Sequence, residues 1–379
     1  MKIIGLAAEY NPFHRGHAHQ IAQIRRIFGP DCCIVAALSG CFVQRGEPAM
    51  FDKHARAAAA LDCGADLVLE LPVPWAIASA EGFGWGAVSL LDSLGNVDCL
   101  VFGSETGELA PLQAAAALLA DPALDPLIRA ALATGVGYAR ARQQAAEALS
   151  GGPLPQLASR NDILALEYLK ALGRLGSPMA PCPLRRDERY PAASLLRGRA
   201  DYLDYLPEAA AAVFRREAAL GRGPVPPEGL AQATLARLRT LPPEGYAALP
   251  DAAEGLEARL RKAARQAVTL EDLVRRVTTK RYPAARVRRM ALAALLGVEA
   301  GMAKARPPYL RPLALNSRGA AALAAASPKV PVITKPAQGK SDPVFRLEAR
   351  ACGLYALAYP DPLQRDGEQD WRRSPYVLK

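Results

Sequence analysis

The sequence predicts a doubly wound α/β domain with a parallel sheet, followed by a mainly helical region. Three observations predict it. Short apolar runs alternate with helical stretches through the first half of the 379-residue chain, and each distinctive polar cluster there falls where a strand should end. Beyond Pro207 the strand signals become scarce and Ala, Leu and Arg dominate.

The elements follow in order. Ile3-Ile4-Gly5-Leu6-Ala7-Ala8 reads as a buried parallel strand, Asn11-Pro12 supplies a turn, and 16–27 reads as a helix. A second strand is expected over 33–38, then a loop through Gly46 and a helix over 53–61. A third covers 66–71 ahead of a helix over 78–94, and a fourth, 97–102, runs into Gly103-Ser104-Glu105. Ser159-Arg160-Asn161-Asp162 opens a helix through a capping residue, 179–184 suits a further strand, and a short helix begins at 192–197. Right-handed crossovers between such strands place ligands at their carboxyl ends. Further on, helices are expected over 209–220, 229–238, 252–260, 270–277 and 284–296, broken by 221–227, Pro242-Pro243 and Pro307-Pro308. The expected division is 1–206 and 207–379.

Lys plus Arg number 47 against 37 Asp plus Glu, a net charge of +10. That excess favours a polyanionic partner, although an Arg- and Ala-rich composition alone produces the same balance. Seven cysteines, an odd number without paired CxxC spacings, do not have the pattern of a disulfide framework or a zinc site. With no signal pattern and no apolar stretch long enough to span a bilayer, a cytoplasmic location without membrane contact is expected.

His14-Arg15-Gly16-His17 carries the most chemistry. It sits between the first strand and its helix, where unpaired N–H groups and the helix dipole favour phosphate, and Gly16 permits close backbone approach. Two solvated histidines in a surface turn are the plain alternative. The turn resembles that of the nucleotidylyltransferase superfamily, whose fold is a Rossmann-like HUP domain. Such proteins carry a later Ile-Ser-Ser-Thr-x-x-Arg segment; here Ala192-Ala193-Ser194-Leu195-Leu196-Arg197 keeps a hydroxyl and the arginine. Arg45 is a candidate to line the substrate pocket, and Lys53 and Arg56, about one helical turn apart, to face phosphate or a polyanion; solvated charges are the alternative. Glu70 and Glu105 read as strand-end or capping residues. There is no DxD-type cluster, so magnesium is expected only as Mg-ATP.

Longer segments narrow the resemblance. Ala8 to His14, Ser39 to Pro48, Asp66 to Pro72, Phe102 to Glu105 and Asn161 to Tyr168 are, in order, similar to the tRNA(Met) cytidine acetate ligase family. The resemblance implies that ATP activates acetate as acetyl-adenylate, and that N4 of the wobble cytidine of elongator tRNA(Met) is then acetylated. It implies His14 and His17 as catalytic. ATP contacts are implied over Ala7, Ala8, Glu9, Tyr10, Asn11, Pro12, Phe13, His14, Arg15, Gly16, His17, Ala18, His19 and Gln20, with Gly103, Asn161, Arg186 (or its neighbour Arg185), Ser194 and Arg197. The stretch Asp187-Glu188-Arg189-Tyr190-Pro191 departs from the family pattern. For tRNA the candidates are Lys280, Arg281, Arg286, Arg288, Arg289 and Arg311, with Tyr282 and Tyr309 interleaved for stacking. No obligate protein partner is evident from the sequence. Two other readings remain open: a nucleotidylyltransferase acting on a small phosphorylated metabolite, and a non-catalytic ATP-responsive RNA-binding protein.

Overall fold

A computed structural model describes residues 1–378. The strands are β1 (Ile3–Ala8), β2 (Cys33–Ser39), β3 (Phe42–Val43), β4 (Glu47–Pro48), β5 (Leu67–Leu71), β6 (Cys99–Ser104), β7 (Ala180–Arg185), β8 (Pro312–Leu315) and β9 (Tyr376–Val377). Seven of them form one sheet in the order β7-β6-β1-β2-β5-β8-β9, while β3 and β4 make a small hairpin. β1, β2, β5, β6 and β7 run parallel, with Ile4 opposite Ile34, Val35 opposite Leu67 and Val101 opposite Cys182. Helices cover both faces, so β2 is buried along its whole length, and an apolar run replaces the alternation of a one-sided sheet.

Chain order reverses beside β1. The chain moves from β1 to β2 and β5, then returns to lay β6 on the opposite side of β1. The crevice outside the carboxyl ends of β1 and β6 is therefore the topological switch point, where ligands bind in open α/β sheets. Ala8 and Ser104 end those two strands, with the histidine turn above one and Gly103-Ser104-Glu105 above the other.

The expected helices of the second half are present as Glu208–Ala219, Ala231–Thr240, Leu256–Gln266, Leu270–Val277 and Ala284–Leu296. Leu235, Leu260, Val274, Val287 and Met290 form a core that also takes in Phe42, Val73 and Ile77. Fully burying each such side chain contributes about 1.5–3 kcal/mol. The sequence reading missed β8 and β9, which bring the second half back to the sheet. β8 pairs antiparallel with β5, Val68 opposite Ala314.

A buried ion cluster fastens this return. Lys53 Nζ contacts Glu70, lies 3.1 Å from Glu348 Oε1 and 3.0 Å from Asp370 Oδ2, and is fully buried with Glu70 and Glu348. Arg311 Nη1 is 2.7 Å from Asp370 Oδ2. Burial opposes charge on Lys53, but Asp370 and the other carboxylates outweigh it and hold the ammonium well above its ordinary pKa.

Candidate functional site

The helix Arg15–Phe28 begins at the turn after β1. His14 is its N-cap: Nδ1 accepts the Gly16 N–H at 3.0 Å, while His17 Nδ1 accepts the His14 N–H at 3.2 Å. Each imidazole therefore satisfies a backbone donor that the helix start leaves unpaired. An Nδ1 that accepts fixes the neutral tautomer with its proton on Nε2, so each ring keeps one donor for a ligand. Burial, then the nearby Arg186 charge, lowers His14 to about 4; burial, then His14, puts His17 well below its ordinary value. Both rings are neutral donors at neutral pH.

Several residues of the turn support it. Tyr10 and Phe13 are buried, with ring centroids 4.8 and 5.5 Å from that of His17. Asn11 is buried and its Oδ1 accepts the Met50 N–H at 2.7 Å. Their side chains shape the turn, leaving backbone groups and the exposed Arg15 to face outward. Glu9 Oε1 accepts the Gln44 N–H at 2.7 Å and joins the turn to the β3–β4 hairpin; burial raises its pKa despite Arg56 and Arg45 nearby. A Cβ at Gly16 would come within 2.7 Å of His14 Cε1 and 2.9 Å of Tyr190 Cβ, so only glycine fits beneath these side chains.

On the β6 side, a Cβ at Gly103 would meet nothing within 4 Å, so the strand end faces open space. Asn161 Nδ2 donates to Glu105 Oε1 at 2.6 Å, and Asp162 Oδ1 accepts from Ser104 Oγ at 2.7 Å. Ser159 caps the helix Arg160–Leu175 and also donates to Glu105 at 3.3 Å. Glu105 thus holds Asn161 at the mouth of the crevice instead of capping the following helix.

The 185–190 segment closes the third side. Arg186 is exposed, bonded through its N–H to Ser104 O at 2.8 Å, and close enough to lower the pKa of His14. Arg185 is also exposed, with its backbone against Gly107. The segment that departs from the family pattern packs over the first helix, with Asp187 3.5 Å from His19 Nε2 and the Tyr190 ring 5.3 Å from that of His19. Ala18 and Gln20 lie partly exposed in the same first turns.

Several expected ligands are engaged elsewhere. Arg197 lies 2.6 Å from Glu47 Oε1 with 5% of its side chain exposed, so it braces the β3–β4 hairpin instead of standing free for a triphosphate; Ser194 is half-buried in the short turn before it. Arg56 is fully buried and donates to the carbonyls of Glu9, Ser39, Gly40 and Phe51, and Lys53 belongs to the ion cluster, so neither faces phosphate or tRNA. Arg311 is buried on Asp370 and Glu70 and is withdrawn as an RNA contact. Tyr282 and Tyr309, 8% and 1% exposed, have no face to offer a base; their hydroxyls donate to Glu254 O and Glu70 Oε2.

Of the remaining basic candidates, Arg286 contacts Glu254 at 3.1 Å, Arg289 contacts Asp251 at 3.3 Å, and Arg288 contacts Glu271 at 2.9 Å. Arg281 is exposed and 3.4 Å from Glu254, while Lys280 is exposed and makes no ion pair among the described residues. Sequence alone could not foresee these pairings, because most acidic partners lie far off in the chain. Among the described residues, no group of three or more His, Cys, Asp or Glu side chains is placed to hold a metal ion, and no helix is long and apolar enough to cross a membrane.

The profile of the HIGH Nucleotidyl Transferase family matches residues 1–370. The tRNA(Met) cytidine acetate ligase of Acetivibrio thermocellus is 34% identical over 416 residues, covering 100% of both chains. That of Fervidobacterium nodosum is 34% identical over 418 residues, covering 98% of each. Among solved structures, Thermotoga maritima TmcAL bound with alpha-thio ATP superposes with a TM-score of 0.93 at 32% identity, covering 100% of both chains.

Proposed function

The chain belongs to the HIGH nucleotidyl transferases and, within them, to the tRNA(Met) cytidine acetate ligases, and from that premise we propose how its own residues carry out the reaction. The protein is an ATP-dependent ligase. In the first step an acetate oxygen attacks the α-phosphorus of ATP, forming acetyl-adenylate and expelling pyrophosphate. In the second, the exocyclic amine of the wobble cytidine of elongator tRNA(Met) attacks the acetyl carbonyl, loses a proton and expels AMP. Free acetate has no adequate leaving group, and adenylation supplies one.

The observation that carries the site assignment is the pair of neutral, Nδ1-bonded imidazoles at the switch point beside Arg186. Their two Nε2–H donors suit oxygens on which charge grows as the α–β bridge breaks, and they need no proton transfer. Arg186 supplies the fixed positive charge, a guanidinium that can grip two phosphate oxygens at once. Gly103 leaves room for the nucleotide and Asn161, oriented by Glu105, offers polar contact. The exposed Arg45, near Glu9 at the hairpin, is the cation proposed to meet the acetate carboxylate. Magnesium would be carried by the triphosphate, since among the described residues no cluster of side chains is placed to hold it. The exposed cations Lys280 and Arg281, with the half-buried Arg288, are proposed to contact RNA phosphates, and a cytoplasmic setting and independence of protein partners belong to the same reading.

Acetate-dependent exchange of labelled pyrophosphate into ATP tests the first step without RNA. Exchange that requires acetate supports adenylation. Exchange with a phosphorylated metabolite and none with acetate would favour the metabolite nucleotidylyltransferase.

A further inference from the structure

With Tyr282 and Tyr309 buried, the helical region's own stacking candidates are lost, and the surface offers a different aromatic. Tyr138, the first residue of the helix Tyr138–Ser150, is 51% exposed and is the only exposed aromatic among the described residues. The residue belongs to no hydrophobic cluster, so packing leaves its aromatic surface available to a ligand.

Its position is set by a close backbone contact. A Cβ on Gly137 would lie 2.6 Å from Lys280 O and 3.4 Å from Arg281 Cα, so glycine alone lets the turn before Tyr138 dock on the 280–281 loop. This contact joins a helix of the α/β half to the basic loop of the helical half. It places the turn that leads into Tyr138 against the backbone of Lys280, which has no ion pair among the described residues, and of Arg281.

We propose that Tyr138 is a base-stacking platform for an unpaired nucleotide of the RNA substrate, with Lys280 and Arg281 receiving the adjoining phosphates. The inference rests on the ligase reading for the identity of the RNA. An aromatic face together with cations fits an unstacked base and its backbone, whereas paired RNA keeps its bases inside the stack. Stacking contributes without charge, and the cations contribute through counterion release, so salt separates the two.

The test measures binding of the full chain to a tRNA(Met) transcript and to a fully paired RNA duplex across a salt series. Tyr138→Ala should weaken transcript binding about 5- to 100-fold with the salt slope unchanged, and Tyr138→Phe should bind like the parent. Lys280→Ala should instead lower the slope by roughly 0.7–0.9. Duplex binding should not depend on Tyr138. Parental affinity for the transcript in Tyr138→Ala, or an equal loss on duplex and transcript, overturns the platform. If the parent binds RNA but forms no acetylcytidine, the ligase reading fails while this comparison still decides the role of Tyr138.

Discussion

The rings of His14 and His17 lie 3.8 Å apart, centroid to centroid, tilted by 31°, and each accepts a backbone N–H through Nδ1. One arrangement therefore starts a helix, fixes two tautomers and leaves two donors at the end of β1. In the proposed mechanism the fold and the reaction share the same two rings, Nδ1 serving the helix start and Nε2 the substrate, and this governs how substitutions should behave.

His14→Ala removes both the cap and a donor. Loss of the cap costs about 1 kcal/mol of stability, and loss of a preorganised donor should slow acetate-dependent pyrophosphate release about 100- to 1,000-fold. His17→Ala should do the same to the rate. Binding of tRNA should be nearly intact in both, as a filter assay would report. An unchanged rate of release would remove the histidines from catalysis.

The free protein should show a His14 titration midpoint near 4 by NMR, well below the ordinary 6.5. The unfolded chain takes up that proton at the higher pH, so stability should rise as pH increases from about 4 to 6.5 and then level off. His14 accounts for up to about 3 kcal/mol of that rise. A midpoint of 6 or above would mean that the ring is not desolvated as described.

Arg186 and Arg185 are neighbours with different expected roles. Arg186→Met should raise the KM for ATP or lower the rate of adenylation by about 10- to 100-fold, the scale of a charge-assisted hydrogen bond. Arg185→Met should change either by much less. Steady-state pyrophosphate release distinguishes them, and a larger effect at Arg185 would reverse the assignment.

Lys53→Met leaves Glu70, Glu348 and Asp370 buried around a missing cation. The expected loss is about 3–5 kcal/mol in denaturant unfolding. A shift below 1 kcal/mol would show that the cluster does not hold the C-terminal segments to the sheet.

The sequence made the nucleotide half readable because β1, β2, β5 and β6 are buried on both faces and therefore appear as apolar runs. β8 escaped notice since Pro312–Leu315 is only four residues long and acquires its partner, β5, from more than 240 positions away. The histidine turn was legible from local spacing. Whether an arginine is free was not, because Arg311 is neutralised by Glu70 and Asp370, 241 and 59 residues distant, and Arg197 by Glu47. The stacking candidates failed for the same reason: Tyr282 and Tyr309 look alike in sequence to exposed tyrosines, and only packing reveals that their rings are covered.

The most direct measurement incubates the protein with labelled acetate, ATP and tRNA(Met), without acetyl-CoA, and follows the RNA and the nucleotide together. The account predicts labelled N4-acetylcytidine at the wobble position, with AMP and pyrophosphate formed in step. A requirement for acetyl-CoA, or RNA bound with no AMP released, would contradict it.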